Sequence, residues 1–153
     1  MAKFKFQPLL LDSDAVTARV GDGPTTQNPL TLADKGKFVK LVGDSQYGLC
    51  AEGNEIEGVL QTFDFPNPAD GFTLGGVMRH QVSNVPRRLK VVFGEVLNVG
   101  DKVVVGAVAA RGTAMPAGVP AVKKAAGATH FTWRVVSLDG TTAAGQTGLI
   151  EAI

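Results

Sequence analysis

Ala51-Glu52-Gly53-Asn54-Glu55-Ile56-Glu57-Gly58-Val59-Leu60-Gln61-Thr62-Phe63-Asp64-Phe65 is the stretch on which the fold is decided. Gly53-Asn54 accepts the positive φ values of a tight reversal, and the run from Ile56 to Phe65 is rich in β-branched and aromatic residues. Along a strand, Val59, Gln61, Phe63 and Phe65 point one way and Ile56, Gly58, Leu60, Thr62 and Asp64 the other. Both faces carry large apolar groups, so a central strand entered by a turn is expected. Gly58 marks either a bulge or a close approach of another backbone. Pro66-Asn67-Pro68 then ends the run by removing ladder donors.

Working outward towards the N-terminus, Tyr47 to Ala51 leads into this strand. Gly43-Asp44 is a turn, and Phe38-Val39-Lys40-Leu41-Val42 is a strand entered from Asp34-Lys35-Gly36-Lys37. Leu30-Thr31-Leu32 is expected as a short strand, and residues 14–20 as another. Residues 3–11 alternate Lys3, Phe4, Lys5, Phe6 and then reach Leu9-Leu10-Leu11, an apolar extended arm beside a terminus. Residues 1–33 are thus set apart as an arm with first strands, and 34–153 as the main β domain. Towards the C-terminus, Asp70-Gly71 reverses the chain into Phe72 to Met78, which Gly75-Gly76 bends. Val82 to Phe93 is interrupted by Pro86. Asn98-Val99-Gly100-Asp101 delivers the valine run 102–108, which fits a strand buried on both faces. Residues 119–126 hold a short strand or one helical turn. His130 to Leu138 alternates with Phe131, Trp133 and Val135 on one face, and 148–153 closes the chain as a strand.

Composition agrees. In 153 residues there are 19 glycines and 8 prolines, and 44% are hydrophobic, which fits a turn-dense chain with a real core. Helical periodicity does not persist between these breakers. The expected class is all-β: a compact barrel or sandwich with many Gly/Pro turns and an extended N-terminal arm. Net charge is +1, giving no overall pull on nucleic acid or acidic lipid, and one cysteine, Cys50, rules out an internal disulfide framework. No apolar run approaches the ~20 residues of a membrane helix, and Met1-Ala2-Lys3-Phe4-Lys5 does not read as an export signal.

The search for chemistry is mostly negative. The sequence has neither a phosphate-cradling Gly-x-x-x-x-Gly-Lys-[Ser/Thr] nor a Gly-x-Ser-x-Gly elbow. His80 and His130 belong to different strands, and an enzyme would need one of them beside a carboxylate in a cleft. Cys50 has no basic neighbour in sequence and reads as a small buried hydrophobe. Glu52, Glu55 and Glu57 read as a solvated acidic rim, and Arg87-Arg88-Leu89-Lys90 as a basic surface patch suited to an acidic protein surface. Without interleaved aromatics that patch is a poor nucleic-acid site. No catalytic residue, cofactor or metal ligand is assigned.

The turn-and-strand pattern of residues 51–60, together with Asn98-Val99-Gly100-Asp101-Lys102-Val103-Val104-Val105-Gly106, resembles the capsid cement, or head-decoration, proteins of tailed bacteriophages. There an acidic-Gly turn leads into a Gly-Val-Leu strand, and a later Gly-Asp turn opens a valine-rich one. The terminal pair formed by residues 131–138 and Gly148-Leu149-Ile150-Glu151 fits as well, so the likeness spans residues 34–153. The resemblance implies a structural virion protein on the outer surface of an assembled capsid, bridging neighbouring capsomers, with no reaction. Its partners would be the major capsid protein and itself, as a dimer or trimer, with neither nucleic acid nor membrane. Phe4, Phe6, Leu9, Leu10, Leu11, Arg87, Arg88 and Lys90 are the expected contact residues. The alternative is a small ligand- or carbohydrate-binding β-barrel.

Overall fold

A computed structural model describes residues 15–21, 30–64, 73–82, 85–108, 112 and 119–153. The chain is all-β, as expected, and the barrel comes twice. Strands β1 (Ala15–Val20), β2 (Phe38–Gly43), β3 (Gln46–Leu49), β4 (Gly58–Phe63) and β5 (Leu74–Arg79) close one five-stranded barrel. A short ribbon, β6 (Gln81–Val82) with β7 (Val85–Pro86), leads to the second barrel. That barrel is built from β8 (Arg88–Phe93), β9 (Lys102–Val105), β10 (Ala121–Lys124), β11 (Trp133–Leu138) and β12 (Thr147–Ala152). Within the segment 1–33, β1 is therefore a barrel strand, pairing with both β3 and β5. Phe4, Phe6, Leu9, Leu10 and Leu11 lie outside the described residues.

The two barrels share one topology, residue for residue. In each, the first strand runs parallel to the third and antiparallel to the fifth, and the second lies between third and fourth. Arg19 pairs with Gln46 as Val92 pairs with Ala121, and Val39 pairs with Gly58 as Val103 pairs with Trp133. Even the irregularity recurs: the register between fourth and fifth strands slips between Leu60 and Thr62, and between Val135 and Ser137. Ladder-end hydrogen bonds match too. Val20 N–H donates to Thr73 C=O at 2.9 Å where Phe93 N–H donates to Gln146 C=O at 2.8 Å. Gly36 N–H donates to Leu60 C=O where Gly100 N–H donates to Val135 C=O, both glycines at positive φ (85° and 92°). Each of these two glycines sits in the left-handed region that a Cβ penalises, so the same turn is built the same way in both halves.

Alternation explains the interiors. Ala18, Val20, Val39, Tyr47, Leu60 and Val77 fill the first barrel; Val91, Phe93, Val103, Val122, Val135 and Ile150, their register equivalents, fill the second. The valine run of β9 is buried on both faces from Val103 to Val105, as its composition implies. Within residues 119–126, expected as a short strand or one helical turn, Ala121–Lys124 form a strand, β10.

Two expectations are corrected. Leu30-Thr31-Leu32 is not a strand: Leu32–Asp34 forms a 3-10 turn. Asp34 Oδ2 accepts the Thr31 N–H at 2.8 Å while Asp34 N–H donates to Thr31 C=O, a reciprocal closure that fits a turn and not a ladder. The central stretch is strand only over Gly58–Phe63 among its described residues, because Gly53 to Ile56 leave their own barrel to meet the other.

Candidate functional surface

The barrels meet through residues 51–57. The loop is shaped locally: Ala51 N–H donates to Asn54 Oδ1 at 2.8 Å, and Gly53 takes φ 83°. Gly53 N–H then donates to Val105 C=O at 2.8 Å and Val105 N–H to Asn54 C=O at 3.0 Å, adding a strand-like segment to the edge of β9. Glu55 is not part of a solvated rim, because its Oε2 accepts the His130 and Phe131 N–H groups, each at 3.0 Å. Trp133 is 1% exposed, and its Nε1–H donates to Ile56 C=O at 2.9 Å. Phe38, Cys50, Ile56 and Val59 of the first barrel share one continuous core with the second.

The fold brings the segments of both histidines to this junction, as structural pieces. His80 is 8% exposed, its ring edge-on to Phe131 and Trp133 at 5.6 and 5.1 Å, with Nε2 2.9 Å from Thr132 O. His130 is exposed and held by its main-chain N–H. Among the described residues no His, Cys, Asp and Glu cluster suits a metal ion. Cys50 is buried, its Sγ–H directed at Glu55 O (3.4 Å), and burial pushes the thiol up to about 12. So high a value leaves no useful thiolate at neutral pH. The cleft beside it, lined by Phe38, Leu49, Val105 and Val108 among others, encloses about 30 Å³. That is room for about one water.

On the outer wall of the second barrel, Arg88 and Lys90 are exposed on β8 and Arg87 is half-buried. Arg88 Nε lies 2.8 Å from Glu151 Oε2, and Arg134 Nη2 lies 3.2 Å from Glu151 Oε1. Lys90 Nζ lies 3.1 Å from Asp139 Oδ2. The Arg88 and Arg134 guanidiniums hold Glu151 below the usual carboxylate range, and the Thr147 hydroxyl and Lys90 do so for Asp139. The expected basic patch is therefore a mixed-charge ribbon of basic side chains alternating with their own acids. Glu52 pairs with Lys123 in the same way, at 2.8 Å.

The sequence reading missed the open half of β2. The register that gives Val105 its partners places Leu41 N–H and C=O on the outer edge of β2. Val39 C=O, two residues earlier on the same side, accepts the Glu57 N–H at 3.3 Å. Beyond Val39 the described chain offers that edge no neighbour, because the chain ahead of Glu57 has gone to β9, where Gly53 and Asn54 bond Val105. Leu41 is 51% and Val42 39% exposed, whereas Val105, the register equivalent of Leu41, is 0% exposed. No protein-family model, curated protein or solved structure matches this chain.

Proposed function

We propose that the protein is a structural shell component. It attaches to the outer surface of an assembled phage capsid, bridges neighbouring capsomers, and associates with the major capsid protein and with copies of itself. The observation that carries this reading is the way each barrel is used up by its own fold. Both interiors are filled by side chains, that of the second barrel running on into residues of the first, and the cleft at Cys50 holds about 30 Å³. A small-molecule site needs roughly ten times that volume or more, which weighs against a ligand- or carbohydrate-binding barrel. Glu55, His80, Cys50 and Trp133, the groups with chemistry to offer, are tied into the barrel junction.

Among the described residues, what remains for function is the outer wall: the mixed-charge ribbon of Arg88, Lys90, Arg134, Asp139 and Glu151, and the exposed apolar edge at Leu41–Val42. Exchanging an internal ion pair for one across an interface gains little singly, about 0–1 kcal/mol. Repetition over a symmetric shell multiplies it through effective concentration. The turn-and-strand likeness to cement proteins supplies the partner. Phe4, Phe6 and Leu9-Leu10-Leu11 provide the apolar arm of the same proposal.

The test is cosedimentation with assembled phage shells, followed by locating the added density. Binding to intact shells and weak binding to unassembled subunits is the expected result. Deleting residues 1–11 should weaken attachment more than it lowers the melting temperature. A protein that ignores shells, or a truncation that binds fully while melting far lower, overturns the corresponding part of the reading.

A further inference from the structure

We propose that a second copy of this chain docks on the open edge of β2, by main-chain pairing of its Ala128–Thr129 with Leu41. This deepens the self-association part of the reading above and rests on it, though its geometry comes from the barrels alone. Within one chain the junction is a worked instance: the loop between third and fourth strands of barrel one seals the second-strand edge of barrel two. It does so with two main-chain hydrogen bonds to Val105. The corresponding loop of barrel two, residues 125–132, equals residues 50–57 in length, and register equivalence sets Ala128 and Thr129 against Gly53 and Asn54. Residues 126–128 and His130 of that loop are exposed. The corresponding acceptor, Leu41, keeps its N–H and C=O directed outward beside two exposed apolar side chains.

An apolar edge with an unfilled ladder is the kind that pairs with another chain. Donor and acceptor lie on different barrels, so the contact is heterologous and links copies head to tail, into a closed ring or a chain. Leu41→Lys puts a solvated charge where the donor must lie, and Thr129→Pro disrupts the donor loop. Leu41 N–H points away from β3, so Leu41→Lys leaves the barrel ladder intact; Thr129→Pro removes the hydroxyl contact of Thr129 with Thr132 (3.0 Å) in the loop but no ladder pair of β10 or β11.

The experiment is sedimentation equilibrium of wild type, Leu41→Lys, Thr129→Pro, and an equimolar mixture of the two variants. Trp133 fluorescence and thermal melting establish that each remains folded. Wild type is expected to self-associate and each variant alone to associate about 100-fold more weakly, from two lost ladder bonds and one re-exposed leucine. The mixture is expected to form a two-copy complex and stop, because each variant retains the half the other lacks. A monomeric wild type overturns the proposal. So does a folded Thr129→Pro that associates normally, which would indicate Leu41 edges pairing with one another, and so does a mixture that stays monomeric. Shell cosedimentation separates this from the capsid reading. A monomer that binds shells defeats only the head-to-tail contact, and an oligomer that ignores shells defeats only the capsid role.

Discussion

Asp34 has 0% exposed surface yet carries a charge, and its surroundings explain how. Burial pushes its carboxyl up, but Lys37 Nζ at 2.8 Å, the N–H groups of Thr31 and Gly112, and the Thr31 hydroxyl outweigh that and hold it below its ordinary value. Asp34→Asn takes away the carboxylate charge 2.8 Å from the buried Lys37 ammonium, so a loss of roughly 3–5 kcal/mol is expected in urea melts. The sign of the pH dependence is set by the same shift. A depressed folded-state pKa favours the folded protein above the unfolded value, and that stability is lost as pH falls through the folded one. Stability should therefore hold from neutrality down towards 4.5, the ordinary value for Glu151, and decline below it, more steeply below 3.8 as Asp34, Asp101 and Asp139, shifted the same way, add to the slope. A melting temperature flat from pH 5 to pH 2 would contradict this. Trp133 is the companion case: Trp133→Ala should cost roughly 3–5 kcal/mol, and wild-type emission typical of a fully hydrated indole would refute the burial. Trp133 was legible because alternation alone places Phe131, Trp133 and Val135 on one face. The role of Asp34 was not, since its partners include Gly112, far along the chain.

At the scale of the element, strands were legible and their partners were not. Gly58 illustrates the difference. Of the two expectations for it, close backbone approach holds: a Cβ there would lie 2.7 Å from Met78 O, whereas the register slip falls later, between Leu60 and Thr62. Gly75 and Gly148 occupy one position in the two barrels. A Cβ on Gly75 would meet Thr62 O at 2.6 Å and Val20 Cγ1 at 2.9 Å; on Gly148 it would meet Ser137 O and Phe93 Cζ, both at 2.5 Å. Gly75→Ala and Gly148→Ala should each cost about 1–3 kcal/mol by overpacking against backbone. Gly127→Ala, with open space around its Cβ, serves as the neutral control. If either barrel glycine tolerated alanine as well as Gly127 does, the shared close approach would be refuted. The open edge at Leu41 escaped the sequence reading for a related reason. Phe38 to Val42 reads as one uniform strand, and only the departure of the chain ahead of Glu57 towards β9 leaves half of it without a neighbour.

At the scale of the molecule, the all-β class was written in turn density and alternation, but the doubling was hidden. Equivalent interior positions stay buried, but few keep size or identity: Val20 answers to Phe93, Tyr47 to Val122, Leu60 to Val135. Gly36 with Gly100, Val39 with Val103, Asp64 with Asp139 and Gly75 with Gly148 are among the residues kept, too scattered to declare a repeat. The junction then makes the two barrels one energetic unit. Ile56, contributed by barrel one, is fully buried in the core cluster of barrel two and supplies the carbonyl that Trp133 bonds. The core of barrel two runs on into Phe38, Cys50, Ile56 and Val59 of barrel one, so thermal unfolding should show a single transition whose calorimetric and van't Hoff enthalpies agree. Ile56→Ala, expected to cost roughly 2–5 kcal/mol, should lower that one transition as a whole. Residues 86–153 expressed alone should melt far lower than the full chain, because Val105 loses both main-chain partners and Trp133 its acceptor. Two resolved transitions, or an isolated second barrel as stable as the whole, would show instead that the barrels fold independently and that the junction is a contact between finished domains.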